Sequence, residues 1–318
     1  MISIIIPAFD EEKSLAILYR EIEEVARAHA LDIEVLFIDD GSRDASWSVI
    51  CSLAKEHSCV RGIRLRRNFG KAAALSAGVE AARGAVILTM DADLQDDPHE
   101  IPNFLTKLDE GFDVISGWKR VRHDPWHKVL PSRVFNWMVS WLTGVRLHDH
   151  NCGMKCYQSI IFREIRLYGE LHRFIPVLAA ARGYKVSELV IQHRRRAFGH
   201  SQYGVRRFAK GFLDLLTVKF LTGFGERPSH ALGGTGLFVF ACGLAGMTFL
   251  TFTWIYNVFV PHFFLPLHER PLLTYSVAAL LMGAQLMSMG FLAEMITAYQ
   301  GRSDTFSIAE RTETTESK

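Results

Sequence analysis

Through the first 120 residues, short unbroken apolar runs alternate with longer stretches of helical period. The runs fall at 2–6, 33–38, 62–65, 85–90 and 113–116, and the longer stretches at 11–28, 44–57, 71–82 and 98–109. A strand that is apolar along its whole length is buried on both faces, which a sheet achieves when helices cover it above and below. The alternation therefore predicts an α/β domain built on a mostly parallel sheet. Pro98 at the start of one helix and Gly84 past the end of another suit those positions.

After residue 120 the pattern changes. Val134, Phe135, Trp137, Met138, Trp141, Leu142 and Val145 share one broad arc of a helix over 132–147, with Arg133, Asn136 and Thr143 elsewhere. Such a helix suits the headgroup boundary of a bilayer; docking on the sheet is the alternative. A second basic and apolar helix is expected at 206–224, carrying Arg206, Arg207, Lys210 and Lys219. The stretches 231–256 and 271–293 contain no Asp, Glu, Lys or Arg. Each reaches the roughly 20 apolar residues that cross a bilayer, so transmembrane helices are expected at 231–256 and 272–296.

The loop 260–271 carries one Arg, whereas 206–227 carries five basic residues. That asymmetry places the N-terminal domain, residues 1–225, and the tail in the cytoplasm. The tail, 301–318, is rich in Thr, Glu and Ser and is expected to be disordered. Composition adds little. A net charge of +2 gives no reason to expect a nucleic-acid partner. The five cysteines are scattered, and Cys152 and Cys156 lack a second ligand pair, so incidental reduced thiols are expected. The chain opens directly on a strand pattern, without the features of an export signal.

The candidate chemistry gathers where strands end. Asp91-Ala92-Asp93-Leu94-Gln95 follows the run ending at Met90, and ligands of open α/β sheets collect at the carboxyl ends of strands. Two carboxylates and an amide oxygen suit Mg²⁺ or Mn²⁺ bridging two phosphates. A solvated acidic turn is the alternative, and it fits Asp96 and Asp97 better than Asp91 or Asp93. A second acidic pair, Asp39-Asp40, ends the second run, and Pro7, Phe9 and Glu11 follow the first. No G-x-G-x-x-G follows that first strand, which counts against a dinucleotide-binding domain. Asn68-Phe69-Gly70-Lys71 forms a turn into a helix at the pocket's edge.

In this order and spacing, Ile-Pro-Ala-Phe-Asp-Glu-Glu at 6–12, Asp-Asp-Gly-Ser at 39–42, Arg-Asn-Phe-Gly-Lys at 67–71 and Asp-Ala-Asp-Leu-Gln at 91–95 resemble family 2 glycosyltransferases of the GT-A fold. The segments 149–155 and 193–203 narrow the likeness to the polyprenyl-phosphate branch, which includes dolichyl-phosphate mannosyltransferases and undecaprenyl-phosphate glucosyltransferases. The resemblance spans roughly residues 2–225 and extends to the paired apolar helices. It implies that Pro7, Phe9, Glu11, Ile38, Asp40, Asp91, Ala92, Lys119 and Arg196 contact a UDP- or GDP-hexose, and that Asp91, Asp93 and Gln95 hold the metal and diphosphate. Two positions depart from the family pattern: Asp10 stands for the usual Asn, and Gln202 for a usual Lys.

A phosphate monoester, with its second pKa near 6, is mostly dianionic at neutral pH and needs no strong base. The burden is to hold two polyanions together and stabilise the leaving diphosphate. Arg194, Arg195 and Arg206 are candidates to cradle a polyprenyl phosphate, with binding of anionic headgroups as the alternative. Asp149 is the candidate to orient the acceptor or assist as base, alongside Asp93 at the metal. The resemblance places the chain in a bacterial cell membrane, and its paired spans are compatible with a homo-oligomer. Competing readings are a processive polysaccharide synthase, a non-catalytic membrane adaptor, and a soluble transferase acting on proteins. The chain has no Gln-x-x-Arg-Trp motif, an intact Asp-x-Asp and two apolar spans, and these argue against each in turn.

Overall fold

The computed structural model describes residues 1–121, 126–165, 171–194, 214–215, 217–219, 228–260, 265–299 and 308–311. Met1–Val218 with Asp304–Lys318 make one compact unit, and Lys219–Ser303 a second. In the first, five strands arise where the apolar runs lie: β1 (Ile2–Ala8), β2 (Ile33–Asp39), β3 (Val60–Leu65), β4 (Val86–Thr89) and β5 (Val114–Trp118). Helices α1 (Leu15–Ala28), α2 (Ser46–Glu56), α3 (Lys71–Ala81) and α4 (Ile101–Asp109) separate them. β1 lies between β2 and β4, β2 pairs onward with β3, and all of these pairs are parallel.

Alternate residues of β1 serve opposite layers. Ile4 and Ile6 pack with Leu18, Ile22 and Phe104 on one face, whereas Ile5 joins Leu36, Ile38 and Leu75 on the other. The small residues of α3 let it lie close to the sheet: a Cβ on Gly78 would come 2.4 Å from Ile5 Cγ2. Side chains sharing both faces explain why the runs read as unbroken.

Three strands were not expected. β6 (Lys155–Gln158) is inserted antiparallel between β4 and β5, β7 (Val186–Val190) pairs parallel with β5, and β8 (Ile308–Arg311) pairs antiparallel with the edge of β3. The order is β7-β5-β6-β4-β1-β2-β3-β8. β8 corrects the expectation of disorder for part of the tail, because an open sheet edge offers unpaired backbone groups that even a polar segment can satisfy.

The helix expected at 132–147 is α5 (Trp126–Thr143). Phe135 and Val139 are buried, while Val134, Trp137 and Trp141 are exposed, and the two indoles stack at 6.3 Å. The buried side matches docking on the domain, and the exposed tryptophans leave an apolar surface on the other side. Of the helix expected at 206–224, residues 214–215 and 217–219 are helical and the rest lies outside the described residues.

The second unit is a hairpin of two helices, Pro228–Phe259 and Pro271–Tyr299. Both are long and apolar enough to cross a membrane. Glycines let their backbones meet, since a Cβ on Gly283 would fall 2.5 Å from Phe240 N. Phe238, Phe252, Phe259, Leu281 and Phe291 point outward and are exposed. At the turn, Arg270 donates to Thr253 Oγ1 (2.6 Å) and the Leu265 carbonyl (2.8 Å).

Candidate active site

The carboxyl ends of β1, β2 and β4, side by side in the sheet, bring the motifs at 6–12, 39–42 and 91–95 together. The loops after β1 and β2 are stitched to each other: the Asp10 N–H donates to Ser42 Oγ (3.0 Å), the Glu11 N–H to Ser46 Oγ (2.9 Å), and the Arg43 N–H to Asp10 Oδ1 (2.8 Å). Asp10 sits in the left-handed region at φ 56°, which Asn and Asp tolerate best among residues with a side chain. That accounts for Asp replacing the family Asn. Gly41 is also left-handed, at φ 73°, and a Cβ there would meet the Arg67 backbone at 2.6 Å. Pro7 and Phe9 are half-buried at the end of β1, whereas Ile38 is fully buried beneath the site.

Asp40 points at the turn that opens α3, accepting the Phe69 N–H on one oxygen (2.7 Å) and the Gly70 N–H on the other (2.9 Å). Burial pushes its carboxyl above the ordinary value in spite of those donors. Each oxygen keeps further lone pairs for a ligand. Asp39, directly before it, is fully buried, accepts the Ser42 N–H at 2.9 Å and pairs with Arg64 at 3.2 Å.

Asp91 follows β4 and is half-buried, as are Asp93 and Gln95, while Ala92 between them is buried. Lys71, the first residue of α3, donates to Asp91 Oδ1. Burial alone would raise the Asp91 carboxyl, but Lys71, Lys119 and Lys155 outweigh it and hold the group below its ordinary value. Gly153 lies against the same carboxylate, and a Cβ there would stand 2.3 Å from Asp91 Oδ2. Leu94 is left-handed at φ 62°, unusual for a bulky residue, and this bend lets Asp93 Oδ1 accept the Gln95 N–H (3.2 Å).

Asp91, Asp93 and Gln95 offer hard oxygen ligands at one half-buried loop, a donor set that fits Mg²⁺ or Mn²⁺ with diphosphate and water completing the shell. Among the described residues no group of three His, Cys, Asp or Glu could hold a metal without such help. Cys152 and Cys156 are buried thiols that burial pushes up to about 12, so neither serves as a thiolate ligand.

Several basic residues are committed elsewhere than expected. Lys119 pairs with fully buried Asp96 at 2.7 Å. Burial works against its charge, but Asp96 holds its ammonium above the ordinary lysine value. Arg194, expected at an acceptor phosphate, instead bridges Glu21 and Asp97, each at 2.7 Å. Its backbone N–H also donates to the Gln95 carbonyl (2.9 Å), which fastens this segment to the Asp-x-Asp loop. Arg195, Arg196, Gln202 and Arg206 lie outside the described residues.

Asp149 is 2 % exposed, and its Oδ1 accepts the Asn151 N–H at 3.1 Å. Its carbonyl accepts from Ser116 Oγ at 3.2 Å. In this position it shapes the turn that delivers Gly153 to Asp91. The next residue, His150, is buried; burial, aided by Lys155, lowers its imidazole to about 3, so it is neutral. Lys155, which sequence reasoning left without a role, is itself buried and donates to the His150 carbonyl (2.9 Å). Burial lowers its ammonium to about 8. The signal that could have found it was a lysine directly before Cys156 and Tyr157.

A glycosyl transferase family 2 model matches residues 3–165. A dodecaprenyl-phosphate galacturonate synthase of Rhizobium johnstonii is 34% identical over 309 residues, 95% of this chain and 89% of its own. An undecaprenyl-phosphate 4-deoxy-4-formamido-L-arabinose transferase of Pseudomonas paraeruginosa is 32% identical over 297 residues, covering 93% and 85%. Among solved structures, the fold is shared with glucosyl-3-phosphoglycerate synthase of Mycobacterium tuberculosis in complex with Mn²⁺, UDP and phosphoglyceric acid. That match has a TM-score of 0.54 at 15% identity and covers 70% of this chain and 78% of the other.

Proposed function

The chain belongs to glycosyl transferase family 2, and from that premise we propose that it moves a hexose from a UDP- or GDP-linked donor onto a polyprenyl phosphate, undecaprenyl or dolichyl in type. An acceptor phosphate oxygen bonds to the anomeric carbon as the nucleoside diphosphate departs, with inversion. The reaction takes place at the cytoplasmic face of a bacterial cell membrane. One observation carries this reading: likeness to proteins named for polyprenyl-phosphate acceptors runs over 95% and 93% of the chain, too much to leave the two apolar helices out.

Phe9 stacks on the base and Asp40 accepts from it, while the stitched loops after β1 and β2 keep that pocket rigid. A Mg²⁺ or Mn²⁺ held by Asp91, Asp93 and Gln95 would neutralise charge on the departing diphosphate. Lys119, paired with Asp96, is assigned to the donor, and its charge also acts on Asp91. Arg196 is assigned to the diphosphate, and Arg195 and Arg206 to the acceptor phosphate. Asp149 acts by positioning, through the turn bearing Gly153. The exposed Trp137 and Trp141 of α5 seat in the headgroup layer, bringing a lipid phosphate within reach.

The test is to incubate membranes carrying the protein with radiolabelled nucleotide-sugars and undecaprenyl phosphate, with and without Mn²⁺. A metal-dependent glycolipid is expected from at least one donor, and none from any would refute the reading. Protease added to sealed vesicles is expected to cut the α/β domain only when its cytoplasmic face is outward.

A further inference from the structure

We propose that Lys71 is an exchangeable counter-ion, neutralising Asp91 while the donor site is empty and surrendering that carboxylate when metal and nucleoside diphosphate enter. Its ammonium then pairs with the diphosphate. This rests on the metal-dependent transfer reading above and adds a residue to it.

Three observations lead there. Lys71 Nζ sits on Asp91 Oδ1, while Gly153 closes on the same carboxylate so tightly that a Cβ would lie 2.3 Å from Oδ2. Asp91 therefore has little room to turn away, and a cation approaching Oδ1 must displace the lysine. Next, Lys71 stands at the first position of α3, where the helix dipole disfavours a positive charge, so helix stability does not explain a lysine there. Finally, the neighbouring lysines differ from it. The Lys119 side chain is 14% exposed against Asp96, and Lys155 is 3% exposed on the His150 carbonyl, whereas the Lys71 side chain is 31% exposed. Of the three, Lys71 alone pairs a flexible stem with a path to solvent.

The arrangement makes metal and nucleotide binding cooperative. Metal arriving alone competes with Lys71 for Asp91. When a diphosphate arrives as well, the displaced ammonium gains a new partner, and the coupling is reciprocal.

Mn²⁺ binding to the detergent-solubilised full chain, followed by electron paramagnetic resonance with and without UDP or GDP, tests this. For Lys71→Met, Mn²⁺ alone is expected to bind at least roughly fivefold more tightly than to the wild type, the scale of one partly exposed ion pair. The enhancement of Mn²⁺ binding by nucleotide is expected to shrink by a similar factor. Lys71→Arg keeps the charge and is expected to keep the coupling; thermal melting checks that both variants fold. If Lys71→Met binds Mn²⁺ alone no better than the wild type, while nucleotide still enhances wild-type binding, the counter-ion proposal is overturned and the transfer reading stands. If the wild type binds no Mn²⁺ even with nucleotide, the metal-dependent reading falls and the proposal with it.

Discussion

Glu34 and Asp91, at opposite ends of the parallel sheet, are neutralised differently. At the amino end, Glu34 is 5% exposed and accepts from Ser3 Oγ (2.5 Å), the Arg83 N–H (2.6 Å) and the Arg61 guanidinium (3.0 Å). Arg61 is pinned further by the Ala81 carbonyl, and Ser3 Oγ receives the Gly84 N–H. Every partner is a backbone group or a short or forked side chain with no alternative. At the carboxyl end, Asp39 is held in the same closed way by the Ser42 N–H and Arg64, and Asp96 by enclosed Lys119, whereas Asp91 is met by the partly exposed ammonium of Lys71. A closed set of donors marks a carboxylate that holds structure, and a mobile counter-ion marks one that can change partners.

The sharpest way to break this comparison is Asp93→Ala, which should lower glycolipid formation about a thousandfold, as loss of charge stabilisation at a leaving group does. The half-buried site should leave the melting temperature nearly unchanged. Glu34→Ala should do the reverse. Leaving Arg61 without its buried partner costs about 3 kcal/mol, read by denaturant unfolding of the solubilised chain, while turnover per folded molecule stays within about twofold. Gly153→Ala lies between them: the added Cβ must move the Asp91 carboxylate, and an error near an ångström lowers transfer up to about a hundredfold with little change in melting.

A separate effect, away from transfer itself, is in pH. His150 titrates near 3 when folded against 6.5 in its ordinary state, so between those values the unfolded chain binds more protons. Its contribution to stability is complete above pH 6.5 and is lost as pH falls towards 3. Melting scans of His150→Gln should therefore be flatter than wild-type scans over that window.

Where strands are buried on both faces, the chain spells them out, and β1 to β5 fall within about two residues of their apolar runs. β6 reads Lys-Cys-Tyr-Gln, with a buried lysine inside it, and lacks that signature. β7 is half-exposed, and β8 is held by the edge of β3 rather than by any pattern of its own. The same division runs through the site. The placing of Asp40, Asp91 and Asp93 just past strand ends was legible, because the apolar runs that mark β2 and β4 stop directly before them. The pairings of Lys119 with Asp96 and of Arg194 with Glu21 were not, since they join segments whose separation leaves no periodic trace. α5 was half-legible: its apolar arc predicted a helix, but the pattern did not say that Phe135 and Val139 would be buried while Trp137 and Trp141 stay exposed.

The pairing of β8 with β3 has a consequence for biogenesis. The strand that closes this edge is made after both apolar helices, so a nascent chain spends roughly 10 to 50 seconds between making β3 and making its partner. Throughout that interval the edge is open to other chains. A protein ending at residue 303 would keep it open permanently, and faster amide exchange across Val60–Leu65, together with self-association, should report it.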